Sequence, residues 1–272
     1  MTWSEMVVKK EELNRSIDEQ MMRELAGVVR MVTVTPWSMR PSAIHWPVNI
    51  VGDAHSGRVD ERQSKPCAVL YVCFGSLSIL SSEQLREVAQ GLEAAGHPFV
   101  LVVRKSGDEW MPEGFEDRVK ENGLVVRGWA PQIEILAHRA TAGFMTHCGW
   151  NSNLEGICAG LPMLTWPLFA EQFYNERFLV DVLKVGVAVG SKEHVVILEK
   201  RKEVIGASDV EAAVRKFMAE GEEAKERRRR AKELAEMARK AVEEGGSSYN
   251  DMGRLLQDLT ELRTRKVEVG QH

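Results

Sequence analysis

From Ala68 onward the chain alternates short apolar runs with amphipathic stretches, and this alternation constrains the fold more than any other feature. AVLYVCF is a continuous apolar run, the pattern of a strand buried on both faces. Ser81 and Ser82 precede EQLREVAQGLEAAG, a capped amphipathic helix closed by Gly96. PFVLVVR reads as the next strand and GLVVRGW as a third, followed by a short helix over Gln132–His138. GFMTH is the fourth strand, with a helix over NSNLEGICAG. PMLTWP is the fifth, with a helix over FYNERFLVDVLKV, and GVAVGS is a short sixth. Strands alternating with helices predict an α/β fold with a doubly wound, Rossmann-like parallel sheet. Ligands of such sheets sit beyond the carboxyl ends of the strands. Phe74, Gly75 and Ser76, then Trp129, His147 and Phe169–Gln172, all fall at those ends, so one crevice is expected.

The flanks read differently. Over residues 4–30, Leu13, Ile17, Met21, Leu25 and Val28 recur at steps of four or three, the apolar stripe of a helix docking on a core. VTVTPWSMRPSAIHWPVNIVGD breaks into proline-punctuated extended pieces, and residues 55–65 form a polar linker. After the sheet, Ser208 opens a helix over ASDVEAAVRKFMAEG, a long charged helix covers EEAKERRRRAKELAEMARKAVEEGG, and SSYNDMGRLLQDLTELR forms the last. The expected organisation is a divergent helix and linker over residues 1–62, one ligand-binding domain over 63–265 and a frayed tail over 266–272.

Composition excludes several classes. Net charge is -4, and the basic run Arg227–Arg230 is balanced by Glu222, Glu223, Glu226 and Glu233, so it reads as a solvated helix face and no nucleic acid partner is expected. Cys67, Cys73, Cys148 and Cys158 form no C-x-x-C pair and read as reduced thiols. No stretch approaches the ~20 apolar residues of a membrane span. The segment MTWSEMVVKKEELNRS carries charges where a signal peptide needs its apolar centre, so a cytoplasmic location is expected. No G-x-G-x-x-G follows a strand and no P-loop motif occurs, which disfavours a dinucleotide oxidoreductase.

The chemistry concentrates in residues 129–172, WAPQIEILAHRATAGFMTHCGWNSNLEGICAGLPMLTWPLFAEQ. The loop from His147 through Cys148, Gly149, Trp150 and Asn151 to Ser152 runs from a strand end into a helix start. Free backbone N–H groups and the positive end of the helix dipole face outward there, a site that binds phosphate without a metal. Gly149 lets the backbone approach closely. The plainer reading of Asn151 or Ser152 is a helix N-cap, and that of His147 a structural histidine. Glu155 lies one turn beyond Ser152 and suits either two vicinal ribose hydroxyls or a capping box with Ser152. Trp129 offers a plane for a base or is buried core. Together these groups fit a nucleotide sugar: a base to stack, a ribose to grip, a diphosphate to neutralise and a sugar to orient.

This block resembles the C-terminal signature of plant family 1 UDP-glycosyltransferases, in the subgroup acting on small lipophilic acceptors. The match runs through all of residues 129–172 without a gap, and the resemblance extends from about Tyr71 to about Leu262. It implies the C-terminal, donor-binding half of a GT-B glycosyltransferase, a UDP-sugar donor, an acceptor such as a flavonoid or terpenoid, inverting O-glucosylation, and no metal or other cofactor. It also implies residue roles. His147, Asn151 and Ser152 would contact the diphosphate, with Ser76 beside it. Trp129 would stack on uracil, the Ala130 backbone would meet the uracil edge, and Gln132 and Glu155 would face the ribose. Trp150 would lie near the sugar, whose hydroxyls Glu171 and Gln172 would read. The family commonly carries Asp where this chain has Glu171, one methylene longer, and Gln in the position of Gln172 goes with glucose donors.

The family's catalytic base is a His paired with an Asp in the N-terminal half. His45 and His55 lie outside any P-x-x-x-x-G-H segment, so no catalytic residue is assigned. Two readings follow: a UDP-glycosyltransferase represented by its donor-binding half, or a nucleotide-sugar-binding protein without turnover of its own.

Overall fold

The computed structural model describes residues 68–78, 80–104, 107–193 and 203–269, with side chains to 262. The helix expected over residues 4–30, the extended pieces and the linker lie outside the described residues. The described residues divide into two compact units, one ending at Leu234 and the other beginning at Ala235. The sheet and the expected site residues belong to the first.

Six parallel strands form one sheet: β1 (Val69–Cys73), β2 (Phe99–Val103), β3 (Gly123–Arg127), β4 (Thr141–Thr146), β5 (Met163–Thr165) and β6 (Gly186–Ala188), in the order β3-β2-β1-β4-β5-β6. Every residue of β1, β2, β4 and β5 is buried, which is why these strands read as unbroken apolar runs rather than alternating ones. The chain builds outward from β1 in one direction through β2 and β3, then returns to β1's other edge with β4, where Cys73 pairs with Thr146. The strand order therefore reverses between β1 and β4. In doubly wound sheets such a reversal is the place where ligands bind, beyond the carboxyl ends of the strands.

Helix α1 (Ser82–Ala95) begins and ends as its sequence dictates. The Ser81 hydroxyl accepts the Gln84 N–H at 3.0 Å, and Gly96 closes the helix in the left-handed region at φ 70°. Its Gly91 lies against α6 (Ala207–Met218), so close that a Cβ there would stand 2.5 Å from Val210 Cβ. Helix α6 begins at Ala207, with the Ser208 expected to open it in its first turn. Gly206 holds the cap position, and Glu87 of α1 accepts the Ala207 N–H at 2.7 Å. The first-turn donor is satisfied from across the helix pair, a partner that local sequence does not reveal.

A short helix α2 (Phe115–Val119), absent from the sequence reading, carries fully buried Phe115 onto Phe99 with ring centroids 6.3 Å apart. Five residues carry too little periodicity to register as a helix. Helices α3 (Gln132–Ala137) and α4 (Trp150–Cys158) follow β3 and β4. The helix after β5 is not uniform: α5 (Gln172–Arg177) passes into a π turn over Phe178–Val182, where Leu183 N–H reaches back to Phe178 O at 2.9 Å.

The charged helix α7 spans Glu222–Val242. Arg229 and Arg230 pair with Glu226 on its exposed side. Arg227 departs from the solvated face expected for the run. It is buried, with its guanidinium 5.8 Å from the Phe217 ring centroid and its Nη1 donating to Phe217 O at 3.4 Å. The last helix, α8, runs Ser247–Val269, past the Arg265 at which fraying is expected.

Candidate functional site

Two loops meet where the strand order reverses. The β1 loop turns through Gly75 at φ 78°, and the β4 loop turns through Cys148 at φ 64°. The His147 imidazole fills the space between them. A Cβ on Gly75 would lie 2.4 Å from its Cε1, and a Cβ on Gly149 would lie 2.4 Å from its Nε2. Neither position accommodates a side chain while the ring keeps its place. Burial pushes the His147 pKa down to about 4, so the ring is neutral at pH 7. Its Nδ1 is buried with no hydrogen-bond partner among the described residues. A neutral ring carries one N–H, and buried orphan N–H groups are the rarer defect. The proton is assigned on that ground to Nε2, between the two glycines.

Cys148 adopts left-handed backbone geometry although it is not glycine, and two amides hold it there. Asn153 Nδ2 and Asn175 Nδ2 donate to Cys148 O at 3.0 and 2.9 Å. Helix α4 then starts at a bare end: Gly149 is its N-cap and no side chain caps it. The first bond of the helix is Asn153 N–H to Gly149 O at 3.0 Å. The N–H groups of Trp150, Asn151 and Ser152 therefore have no intrahelical acceptor. With the dipole behind them they make the kind of helix terminus at which anions bind in other proteins. Asn151 is exposed and Ser152 buried, and neither acts as the N-cap.

Beside this terminus lies a cluster joined through Gln132. Its Nε2 donates to Glu155 Oε2 at 2.6 Å and to Ser152 Oγ at 3.2 Å, and its Oε1 accepts the Tyr71 hydroxyl at 3.3 Å. Glu155 is therefore engaged with Gln132, not in a capping box with Ser152. Both amide hydrogens of Gln132 have acceptors within the protein, so this side chain clamps Ser152 and Glu155. Burial raises the Glu155 pKa, and the Gln132 bond opposes that rise.

Trp129 is 71% exposed, which excludes the core-packing reading. The Arg104 guanidinium carbon stands 4.5 Å from its ring centroid. Ala130, next in the chain, is buried. Ser76 is exposed beside Gly75. Trp150 is half-buried, its ring 6.4 Å from that of Phe178. Glu171 is exposed, whereas Gln172 is buried and its Oε1 accepts the Leu168 and Phe169 N–H groups at 2.9 and 3.0 Å. The Gln172 carbonyl thus shapes its own loop.

Sequence reasoning missed Tyr71, Arg104, Asn153 and Asn175. Tyr71 is hidden in an apolar run, and its polar partner lies 61 residues away. Asn175 reaches across 27 residues. Asn153 sits in plain view in the NSN triplet, but its neighbours carry the stronger motif signal. Among the described residues no three His, Cys, Asp or Glu side chains are grouped to hold a metal ion, and no helix is long and apolar enough to cross a membrane.

A doubly wound parallel sheet with an uncapped helix terminus, an exposed indole and a clamped carboxylate at its switch point defines a nucleotide-binding α/β protein. The family described as UDP-glucoronosyl and UDP-glucosyl transferase matches residues 55–234, ending where the sheet-bearing unit ends. The chain is 52% identical over 212 residues to UDP-glycosyltransferase 73B1 of Arabidopsis thaliana, covering 76% of this chain and 42% of that protein. It is 54% identical over 208 residues to abscisate beta-glucosyltransferase of Phaseolus angularis, covering 72% of this chain and 44% of that protein. A crystallised glycosyltransferase of Glycyrrhiza uralensis, UGT73P12, complexed with glycyrrhetinic acid 3-O-monoglucuronide, superposes with a TM-score of 0.70 at 41% identity, over 75% of this chain and 43% of that one. The chain belongs to the plant family 1 UDP-glycosyltransferases and carries the Rossmann-like fold found in their GT-B structures. It spans less than half the length of these relatives.

Proposed function

We propose that the crevice between the β1 and β4 loops is the UDP-sugar site of a glycosyltransferase that moves glucose to a small lipophilic plant metabolite with inversion. The observation that carries this reading is the bare α4 terminus with neutral His147 wedged between Gly75 and Gly149. Three backbone donors and an imidazole N–H converge where a diphosphate would sit, and the helix dipole supplies positive potential without a divalent cation.

The remaining roles follow outward from that point. Uracil stacks on exposed Trp129, with its edge at the Ala130 backbone. The clamped Glu155 carboxylate accepts the ribose hydroxyls. Ser76 lies beside the phosphates. Trp150, Glu171 and the Gln172 amide border the sugar. The acceptor class rests on relatives, among them enzymes named for abscisate and scopoletin. Acceptor binding and the catalytic base are proposed for the family's whole protein, since this chain matches its donor half.

Calorimetric titration with UDP and with UDP-glucose in EDTA tests the site, and a transfer assay on a flavonol follows. Saturable binding of both ligands without metal is expected. Absence of UDP binding, or binding only with added divalent cation, would overturn the reading.

A further inference from the structure

Tyr71 lies in the middle of β1 with its ring fully buried and 5.3 Å from that of Phe144. Nothing in a buried strand requires a hydroxyl there, and a phenylalanine would fill the same volume. A buried phenol without an acceptor is costly. This one ends on Gln132 Oε1, at 3.3 Å. Burial also raises the phenol's pKa far above its usual range, so it remains a donor at any working pH.

The direction of each bond in the cluster is fixed by chemistry. Ionised Glu155 can only accept, so the Gln132 amide turns its nitrogen toward Oε2 at 2.6 Å. The carbonyl of the same amide then faces the strand, where it accepts the Tyr71 hydroxyl. Remove that donor and the amide loses the contact that fixes its rotation. Glu155 and Ser152 then lose the fixed N–H groups that place them.

We infer that Tyr71 is a positioning residue for ribose recognition, acting through Gln132 to hold the Glu155 carboxylate in place for the two vicinal hydroxyls. The inference rests on the proposed reading of Glu155 as the ribose acceptor. It adds a residue of the sheet interior that would touch no part of the donor.

The test compares UDP with 2′,3′-dideoxy-UDP, which keeps the base and diphosphate but lacks both hydroxyls. The 272-residue chain should bind UDP more tightly than the dideoxy compound. Tyr71→Phe should lower UDP affinity about threefold to tenfold, the worth of one neutral hydrogen bond. It should leave dideoxy-UDP affinity unchanged, which a general loosening of the fold would not do. Gln132→Met should give the same selective loss, and the double variant no further loss, because both changes break one relay. If the unaltered chain bound both nucleotides equally, the ribose role of Glu155 would fail. If it discriminated and Tyr71→Phe discriminated equally well, or lost both affinities together, the positioning role would fail while the ribose reading stood. Should Tyr71→Phe not fold, Gln132→Met alone decides: unchanged discrimination overturns the relay.

Discussion

The His147 imidazole occupies the volume that a side chain on Gly75 would need, with only 2.4 Å between His147 Cε1 and a Cβ at that glycine. Gly75→Ala should therefore displace the ring, and the φ of 78° adds backbone strain of ~1–3 kcal/mol. UDP affinity should fall by a comparable amount. Uridine affinity should hold, because Trp129 and Glu155 lie outside this contact. Equal losses for uridine and UDP in calorimetry would show that ring placement is not what the substitution disturbs.

Burial of neutral His147 makes stability depend on acid. Its folded pKa of about 4 lies below the ordinary 6.5, so the unfolded chain takes up the proton first as pH falls. The stabilisation is fully present above about pH 6.5 and is lost as pH falls through 4. It amounts to roughly 3 kcal/mol. His147→Gln should flatten this part of the Tm-versus-pH curve. An unchanged slope between pH 6.5 and 4 would mean that the ring is solvated.

Much of the fold is legible in the amino-acid sequence. Ser81 and Gly96 bound α1 because caps are local, and buried parallel strands announce themselves as unbroken apolar runs. The doubly wound sheet follows from that alternation. What stayed hidden depends on partners far along the chain. Glu87 caps α6 from α1, Arg227 turns inward onto Phe217, and Tyr71 finds Gln132 across the sheet end. The exposure of Trp129 could not be chosen over burial, because an indole at a strand end suits both.

Trp129→Ala and Glu155→Ala should each weaken UDP binding by ~1–3 kcal/mol, through lost stacking and lost ribose hydrogen bonds. With Trp129 71% exposed, its removal should leave Tm nearly unchanged. A large fall in Tm with UDP affinity intact would contradict the assignment.

Gln172 separates two functions on one amide. Gln172→Glu keeps an acceptor for the Leu168 and Phe169 N–H groups and removes the amide donor. It should hold UDP affinity and Tm while reducing the advantage of UDP-glucose over UDP. Gln172→His should shift preference between UDP-glucose and UDP-galactose with nearly unchanged UDP affinity. It should also lower stability by ~1–3 kcal/mol, because two backbone donors lose their acceptor. Titrations with UDP and both sugars, read beside thermal melts, distinguish these outcomes.

The Cys148 carbonyl is grasped by one asparagine from α4 and one from α5. The turn that aims the α4 terminus is thus tied to the segment that carries Gln172, and the two share one anchor. A ligand arriving at this crevice has little ordering left to impose on it. Tightness at the phosphate end then reflects how well the chain has folded more than how the loop responds, and damage at either asparagine should surface as a looser site before it surfaces as an unfolded protein.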